Sequence, residues 1–308
     1  MKRASEKLMC TIFSNNSYNI CLFMTIILCR RIMCILFLYN GVCDAESDYS
    51  LILVSNRDES YDRPTEKMAT WEHAEGDPVV IAGRDLEVKG GGTWLAISTT
   101  LKRIGVLLNM PGGDQKNAKS RGQIVSDYAH GYQESVEEYM ELLKTNAGEH
   151  NYYIFVSIEY GKPNIPISSY NNVTDELITH NESYIGFGNC VPNKPLNKVL
   201  AGKKKMEEVC KKFCKENAES ELMENLIALL RSEERHLPDQ ELYARRPQTY
   251  KELSSIYVCI PEMRYGTRTH TIVLVTKKGR LLITELTQQM PIDPLNPKWD
   301  KTEYTQTV

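Results

Sequence analysis

The chain has 308 residues, 42% of them hydrophobic, with 37 Lys and Arg against 40 Asp and Glu, for a net charge of −3. That length and apolar content suffice for one large core or two small ones. The charge is uneven: Lys2, Arg3, Lys7, Arg30 and Arg31 against Glu6 give residues 1–32 a net +4, which leaves −7 on residues 33–308 and no electrostatic footing for nucleic-acid binding. Nine cysteines, five of them within the first 43 residues, form no disulfide pattern. They fit the reduced thiols of the cytosol or mitochondrial matrix. Asn172-Val173-Thr174 and Asn181-Glu182-Ser183 are glycosylation triplets that matter only in the secretory pathway.

Residues 1–32 run from a basic start through a polar stretch to an apolar run, Ile20 to Cys29, closed by Arg30-Arg31. This run is too short for a bilayer that needs about 20 residues. Joining it to the next apolar run, Ile32 to Tyr39, would bury two guanidinium groups near a membrane's centre. Three readings stand open: a signal peptide (with no small-x-small cleavage site after the run), a mitochondrial presequence, and a domain that starts at Met33 with 1–32 outside it.

In the body, Cys34–Tyr39 and Ser50–Ser55 have the composition of a hairpin, with a polar, Pro-containing loop from Asn56 to Thr65 behind it. Val79–Ala82, Thr93–Thr99 and Arg103–Met110 are expected as strands. Ser120–Tyr132 and Ser135–Leu143 space their apolar residues as helices do. Strands are expected again at Asn151–Glu159, Ser168–Tyr170 and Glu182–Phe187, then helices at Lys203–Asn217 and Glu219–Arg231. Ser254–Ile260, His270–Thr276 and Leu281–Leu286 close the body as strands, with a turn at Lys278-Gly279. Many antiparallel strands with helices grouped between them point to an α+β fold of face-to-face sheets with helices outside, one domain over 33–308.

Five constellations carry chemistry. If Met33 is removed, Cys34 becomes a terminal cysteine whose own α-amine, with a pKa near 8, can take the thiol proton; otherwise it is a structural cysteine of an apolar strand. Asn56-Arg57-Asp58-Glu59 follows a strand, where Arg57 is suited to hold a carboxylate or lower a thiol pKa and Asp58 to orient an amine. A solvated turn is the plain alternative. Gly83-Arg84-Asp85 and Gly90-Gly91-Gly92-Thr93-Trp94 combine backbone freedom with an apolar plate and match no phosphate loop. Asn109, at a strand end before Met110-Pro111, has the amide an oxyanion needs. Tyr265-Gly266-Thr267-Arg268-Thr269-His270 reads as a polar turn into a strand.

Taken in order, MCILF, SNRDES with RP beyond, GRD…GGTWLAIS, a strand ending in Asn, SRG opening a helix and YGTRTHT form a series that resembles the NRDE family, the Transport and Golgi organisation protein 2 homologues. The resemblance covers about residues 33–290. Family members begin at the Met-Cys dipeptide, which favours Met33 as the domain start. The resemblance implies a four-layer αββα sandwich like that of N-terminal-nucleophile hydrolases, with Cys34 in the nucleophile position. Arg57 and Asp58 match the Arg and Asp near the terminal cysteine of the related bile-salt and penicillin V acylases, though at a different spacing, and Asn109 and Arg268 are looser analogues. The 32-residue extension departs from the family and denies Cys34 a free amine unless cleavage falls at Met33–Cys34.

The same resemblance implies a non-enzymatic, intracellular handler of haem or a similar apolar ligand, in support of Golgi organisation, secretion and mitochondrial and lipid homeostasis. It would be cytoplasmic, with mitochondrial or Golgi association as alternatives, and need no cofactor or metal. An amidohydrolase acting through Cys34 is the rival reading. The basic helix around Lys203–Lys215 admits at most peripheral membrane contact, and a solvated face is preferred. Cys210 and Cys214, without His or further Cys, are expected to pack in a core rather than hold zinc.

Overall fold

The computed structural model describes residues 33–307 apart from 72–73, 88–90, 113–114 and 133–134. The readings on 1–32, and the motif glycine Gly90, lie outside the described residues. The first hairpin forms where β-branched and aromatic residues concentrate: β1 (Ile35–Asn40) pairs antiparallel with β2 (Tyr49–Ser60), from Ile35↔Asn56 to Asn40↔Leu51. Then come β3 (Thr65–Thr70), β4 (Val80–Asp85), β5 (Leu95–Ser98) and β6 (Arg103–Asn109).

Two helices follow. α1 (Gly122–His130) ends at Gly131, whose φ of 75° only glycine takes without strain. α2 (Val136–Thr145) opens on a capping box in which Ser135 and Glu138 satisfy each other's backbone N–H. The chain returns to strand with β7 (Tyr153–Ile158), β8 (Ile167–Asn171), β9 (Glu176–His180) and β10 (Tyr184–Phe187). It then forms α3 (Asn197–Phe213), α4 (Glu219–Leu230), α5 (Gln240–Arg245) and α6 (Tyr250–Leu253). β11 (Cys259–Ile260), β12 (Tyr265–Thr276), β13 (Arg280–Gln288) and β14 (Trp299–Thr307) finish it.

The strands build two antiparallel sheets. The first runs β10-β1-β2-β12-β13-β14, with β11 added beside β12, and the second runs β3 to β9 in sequence order. The period of two in each strand sorts the side chains. Leu36, Leu38, Leu51, Leu53, Val273 and Ile283 of the first sheet meet Ile97, Ile104, Val106, Leu108, Ile154 and Val156 of the second in one core between the sheets. Burying each such side chain stabilises the fold by about 2 kcal/mol.

Alternate residues of the second sheet, Ala82, Ala96, Phe155 and Tyr170, pack outward on Ile124, Tyr128 and Tyr139 of α1 and α2. α3 covers β1 and β10, and α4 covers β2 and β12. Here Gly202 is required, because a Cβ at that point would fall 2.0 Å from the Phe37 ring. The order is therefore helix, sheet, sheet, helix: the α+β sandwich expected from the sequence. No helix among the described residues is long and apolar enough to cross a membrane.

Several local expectations are corrected. Asn56–Ser60 is the buried end of β2, not a loop, and Tyr265–His270 is the start of the fully buried β12, not a turn. The expected strand Ser254–Ile260 shrinks to Cys259–Ile260, and α3 starts six residues before Lys203, at Asn197. β3, β9 and β14 were not expected. Their alternating or polar sequences carry little apolar signal because each has at least one face in water.

Candidate functional site

Cys34 immediately precedes β1, an inner strand of the first sheet next to its edge strand β10, and the β1–β2 register continued by one pair sets it against Arg57. Both side chains lie on the face turned to the second sheet, where cross-strand neighbours stand about 5 Å apart at Cβ. Asp58, one residue on, points to the opposite face, under the helices. Its backbone N–H nevertheless favours the Cys34 thiolate, while its carboxylate charge opposes it. The strand end thus places a guanidinium on one side of the thiol and a carboxylate on the other.

Each of these groups is held by residues far away in sequence. The Arg57 guanidinium lies 4.1 Å over the ring of Trp94, with Nη2 3.6 Å from Asp85 Oδ2. Asp85 also accepts from Arg63 Nε at 2.8 Å. Trp94 lies across Gly83, where a Cβ would meet its ring at 2.4 Å. The Gly92 and Gly122 backbones touch, a Cβ on either coming within 3.1 Å of the other, so the GGT and SRG segments are two halves of one close contact. On the helix side, the Thr267 hydroxyl accepts from Val258 N–H at 2.9 Å and donates to Asp58 Oδ1 at 2.6 Å. Asn56 Nδ2 donates to the carbonyls of Leu230 and Ile256.

Arg268 occupies a bulge in β12 between the pairs Thr267↔Asp58 and Thr269↔Arg57. Its Nη1 donates to the carbonyls of Ser60 and Arg63 at 2.8 and 2.7 Å, bracing the end of β2. Burial, reinforced by the Arg57 charge, lowers its pKa to about 10. Asn109 ends β6 on the facing sheet, and its carbonyl accepts from Asn189 Nδ2 at 2.5 Å. Asn189 lies two residues past Phe187, which pairs with Leu36, so the Asn109–Asn189 bond joins the sheets at the Cys34 end. Arg57 and Asp58 therefore flank Cys34, Arg268 supports the strand that carries them, and Asn109 is tied in through Asn189.

Sequence reasoning missed three residues. Asn189 sits in a turn with no periodic signal. Lys198, on α3, is 1% exposed and donates to the Ser255 carbonyl, and burial lowers its pKa while the Asp58 charge works against that. Glu285, on β13, reaches across to accept from Met68 N–H of the other sheet at 2.7 Å, and burial raises its pKa. A lysine and a glutamate in a helix and a strand look like surface residues; only their two-sided burial marks them.

The electrostatics describe a quiet thiol. Desolvation first, and then the Asp58 charge, push Cys34 up to about 12 against the opposing pull of the Asp58 N–H and Arg57. Burial raises Asp58 to about 7, with Lys198 opposing. Met33 N–H donates to the Tyr265 hydroxyl at 2.7 Å, so the peptide ahead of Cys34 is itself gripped. Arg57 Nη1, Asp58 Oδ2, Asn109 Oδ1, Asn189 Oδ1 and Glu285 Oε2 are buried without a hydrogen-bond partner among the described residues. Buried polar groups are nearly always paired, so each of these atoms is costly where it stands. Cys210 and Cys214 are both buried, and among the described residues no group of three or more His, Cys, Asp or Glu could hold a metal ion.

Fold and site together define a helix–sheet–sheet–helix sandwich with a cysteine at the head of an inner strand, beside an arginine and an aspartate. The Transport and Golgi organisation 2 family matches residues 33–289, from the residue before that cysteine to the end of β13. The chain belongs to this family. It is 38% identical to Transport and Golgi organization protein 2 of Drosophila melanogaster over 280 residues, 88% of this chain and 96% of the relative. It is 28% identical to the Mus musculus homolog, over 90% of this chain and 99% of the relative. With the Homo sapiens homolog it shares 28% identity over 82% of this chain and 92% of that one.

Proposed function

We propose that this chain serves transport and Golgi organisation, as its relatives' names describe for them, through a cleavage-activated thiol at Cys34 of the N-terminal-nucleophile type. The observation that carries the molecular part is the position of the sulfur between Arg57 and Asp58 at the start of an inner strand. With the Met33–Cys34 bond intact, the thiol has no base, and its surroundings favour the protonated form. Cleavage there would set an α-amine at the thiol, within reach of Asp58, whose Oδ2 is free to accept from it. The ammonium charge would lower the thiol pKa, and the neutral amine would serve as its base. The oxyanion formed as the sulfur attacks an acyl carbonyl would accept from Asn109 Nδ2, the side-chain amide at the end of β6 on the facing sheet. The substrate class is an amide or ester: its C–N or C–O bond would break as the protonated α-amine gives its proton to the leaving amine or alcohol, and water would then hydrolyse the thioester to free the thiol.

Mass spectrometry of the endogenous N-terminus tests this, together with the iodoacetamide labelling rate of Cys34 in chains that do and do not retain Met33. A processed chain is expected to begin at Cys34 and to label at least tenfold faster than the unprocessed one at pH 7. If Cys34 is never terminal, or reacts no faster than Cys190 when it is, the hydrolase reading fails. Haem handling rests on the resemblance alone, and a haemin titration read at the Soret band decides it separately.

A further inference from the structure

The second sheet's outer layer holds a feature that the thiol chemistry leaves unused. Between α1, α2 and the connections around residues 119–120 and 146–150 lies a cavity of about 620 Å3, within the size range of small-molecule sites. Ile124, Tyr139, Leu142 and Leu143 supply apolar walls. Tyr132 and Leu142, 68% and 38% exposed, stand on the same concavity. Isolated exposed apolar side chains are ordinary, but apolar groups gathered on one hollow mark a binding surface.

The charges in the cavity do not cancel. Lys119 Nζ pairs with Glu149 at 2.8 Å, so those two offset each other. His150 holds the Lys119 carbonyl through Nδ1 at 3.2 Å, and burial lowers its pKa, which leaves it neutral at pH 7. Asp127 is then the carboxylate without an ion-pair partner among the described residues; burial raises its pKa, against the Gln123 hydrogen bond and the His130 and His150 charges. Its carboxylate accepts from Gln123 Nε2 at 2.6 Å. No Lys, Arg or His among the described residues comes within ion-pair distance of it. The other titratable group near it on α1, His130, is engaged with the Ser126 carbonyl and stacked on Tyr132.

We propose that this cavity binds a small apolar cation, an amine whose hydrocarbon body lies between α1 and α2 and whose ammonium meets Asp127. Apolar walls supply affinity that does not depend on charge, and one half-buried carboxylate selects the cation over neutral and anionic molecules of the same shape. The site faces away from the inter-sheet core that holds Cys34, so it stands or falls independently of the thiol reading.

Titration calorimetry on the full chain tests it with 2-phenylethylamine as the probe and 2-phenylethanol and 3-phenylpropionate as neutral and anionic matches. The amine is expected to bind saturably, one to one, with the alcohol about 10-fold weaker, a difference of about 1.4 kcal/mol, and the carboxylate weaker still. Asp127→Asn should bring amine and alcohol to the same affinity, while Tyr132→Ser at the rim weakens both by a similar factor. Equal binding of amine and alcohol by the native chain, an amine preference that survives Asp127→Asn, or failure of the amine to saturate overturns the proposal. The native-chain comparison needs no variant to fold.

Discussion

Four strands of the first sheet, followed from one end to the other, change character along their length. At the far end from Cys34, β1, β2, β12 and β13 offer Leu38, Leu51, Leu53, Val273, Val275 and Leu281 to the core between the sheets. At the near end the same face carries Cys34, Arg57 and Glu285, with Arg268 in its bulge. The apolar end needs only matched volumes, and any neighbour of the right size serves. The polar end is tolerable only because partners reach its groups, and two of them, Arg57 and Glu285, still have an atom unpaired among the described residues. One end supplies stability; the other retains polar groups that a core built for stability alone would have replaced.

This contrast can be broken by experiment. Leu53→Ala at the apolar end should show the largest effect, a loss of about 3 kcal/mol in urea unfolding. The Cys34 labelling rate should stay unchanged in the folded variant; if reactivity shifts with stability, the two ends are not separate. Acidification comes next, through His270, which is fully buried beneath Trp299 with Nδ1 2.6 Å from Asn56 Oδ1. Burial lowers its pKa to about 3, against about 6.5 unfolded. The unfolded chain therefore takes the proton first, so this contribution is whole above about pH 6.5 and lost as pH falls toward 3. Between pH 6.5 and 5 the loss is about 2 kcal/mol, and His270→Asn should flatten that part of the stability–pH curve.

Trp94→Phe, which thins the plate over Arg57, is expected to cost about 1 kcal/mol in the same unfolding assay. Asp58→Asn should give the smallest change and the most instructive one. In the chain that retains Met33 it removes a charge that repels the thiolate, so Cys34 labelling at pH 8 should rise several-fold. In a chain beginning at Cys34 it removes the partner of the amine, and labelling should slow. The same sign in both chains would mean that Asp58 does not serve the terminal amine.

Much of this was legible beforehand. The hairpin at Cys34, the helices on the outside and the packing of sheet on sheet follow from β-branched runs and helical spacing in the chain itself. Arg57 and Asp58 were found by their place after an apolar run, and Trp94 by its glycines. The NRDE segment nevertheless reads as a loop, because four consecutive polar residues normally mean solvent. Within β2 they are 0–4% exposed. Their burial depends on Thr267, Leu230, Ile256 and Trp94, none of which is near them in sequence.

By itself, then, the sequence determined the apolar strands and the outer helices, the family, and the identity of the thiol and its two charged neighbours, since these reside in local pattern and short motifs. Only the tertiary structure decided that Arg57 and Asp58 fall on opposite faces of one strand, that Asn189, Lys198 and Glu285 join them, and that Asp127 stands in a cavity between two helices with no ion-pair partner among the described residues. The reason is physical: whether a charge is solvated, paired or stranded depends on what the rest of the chain brings to it, and that is settled only when both sheets have closed.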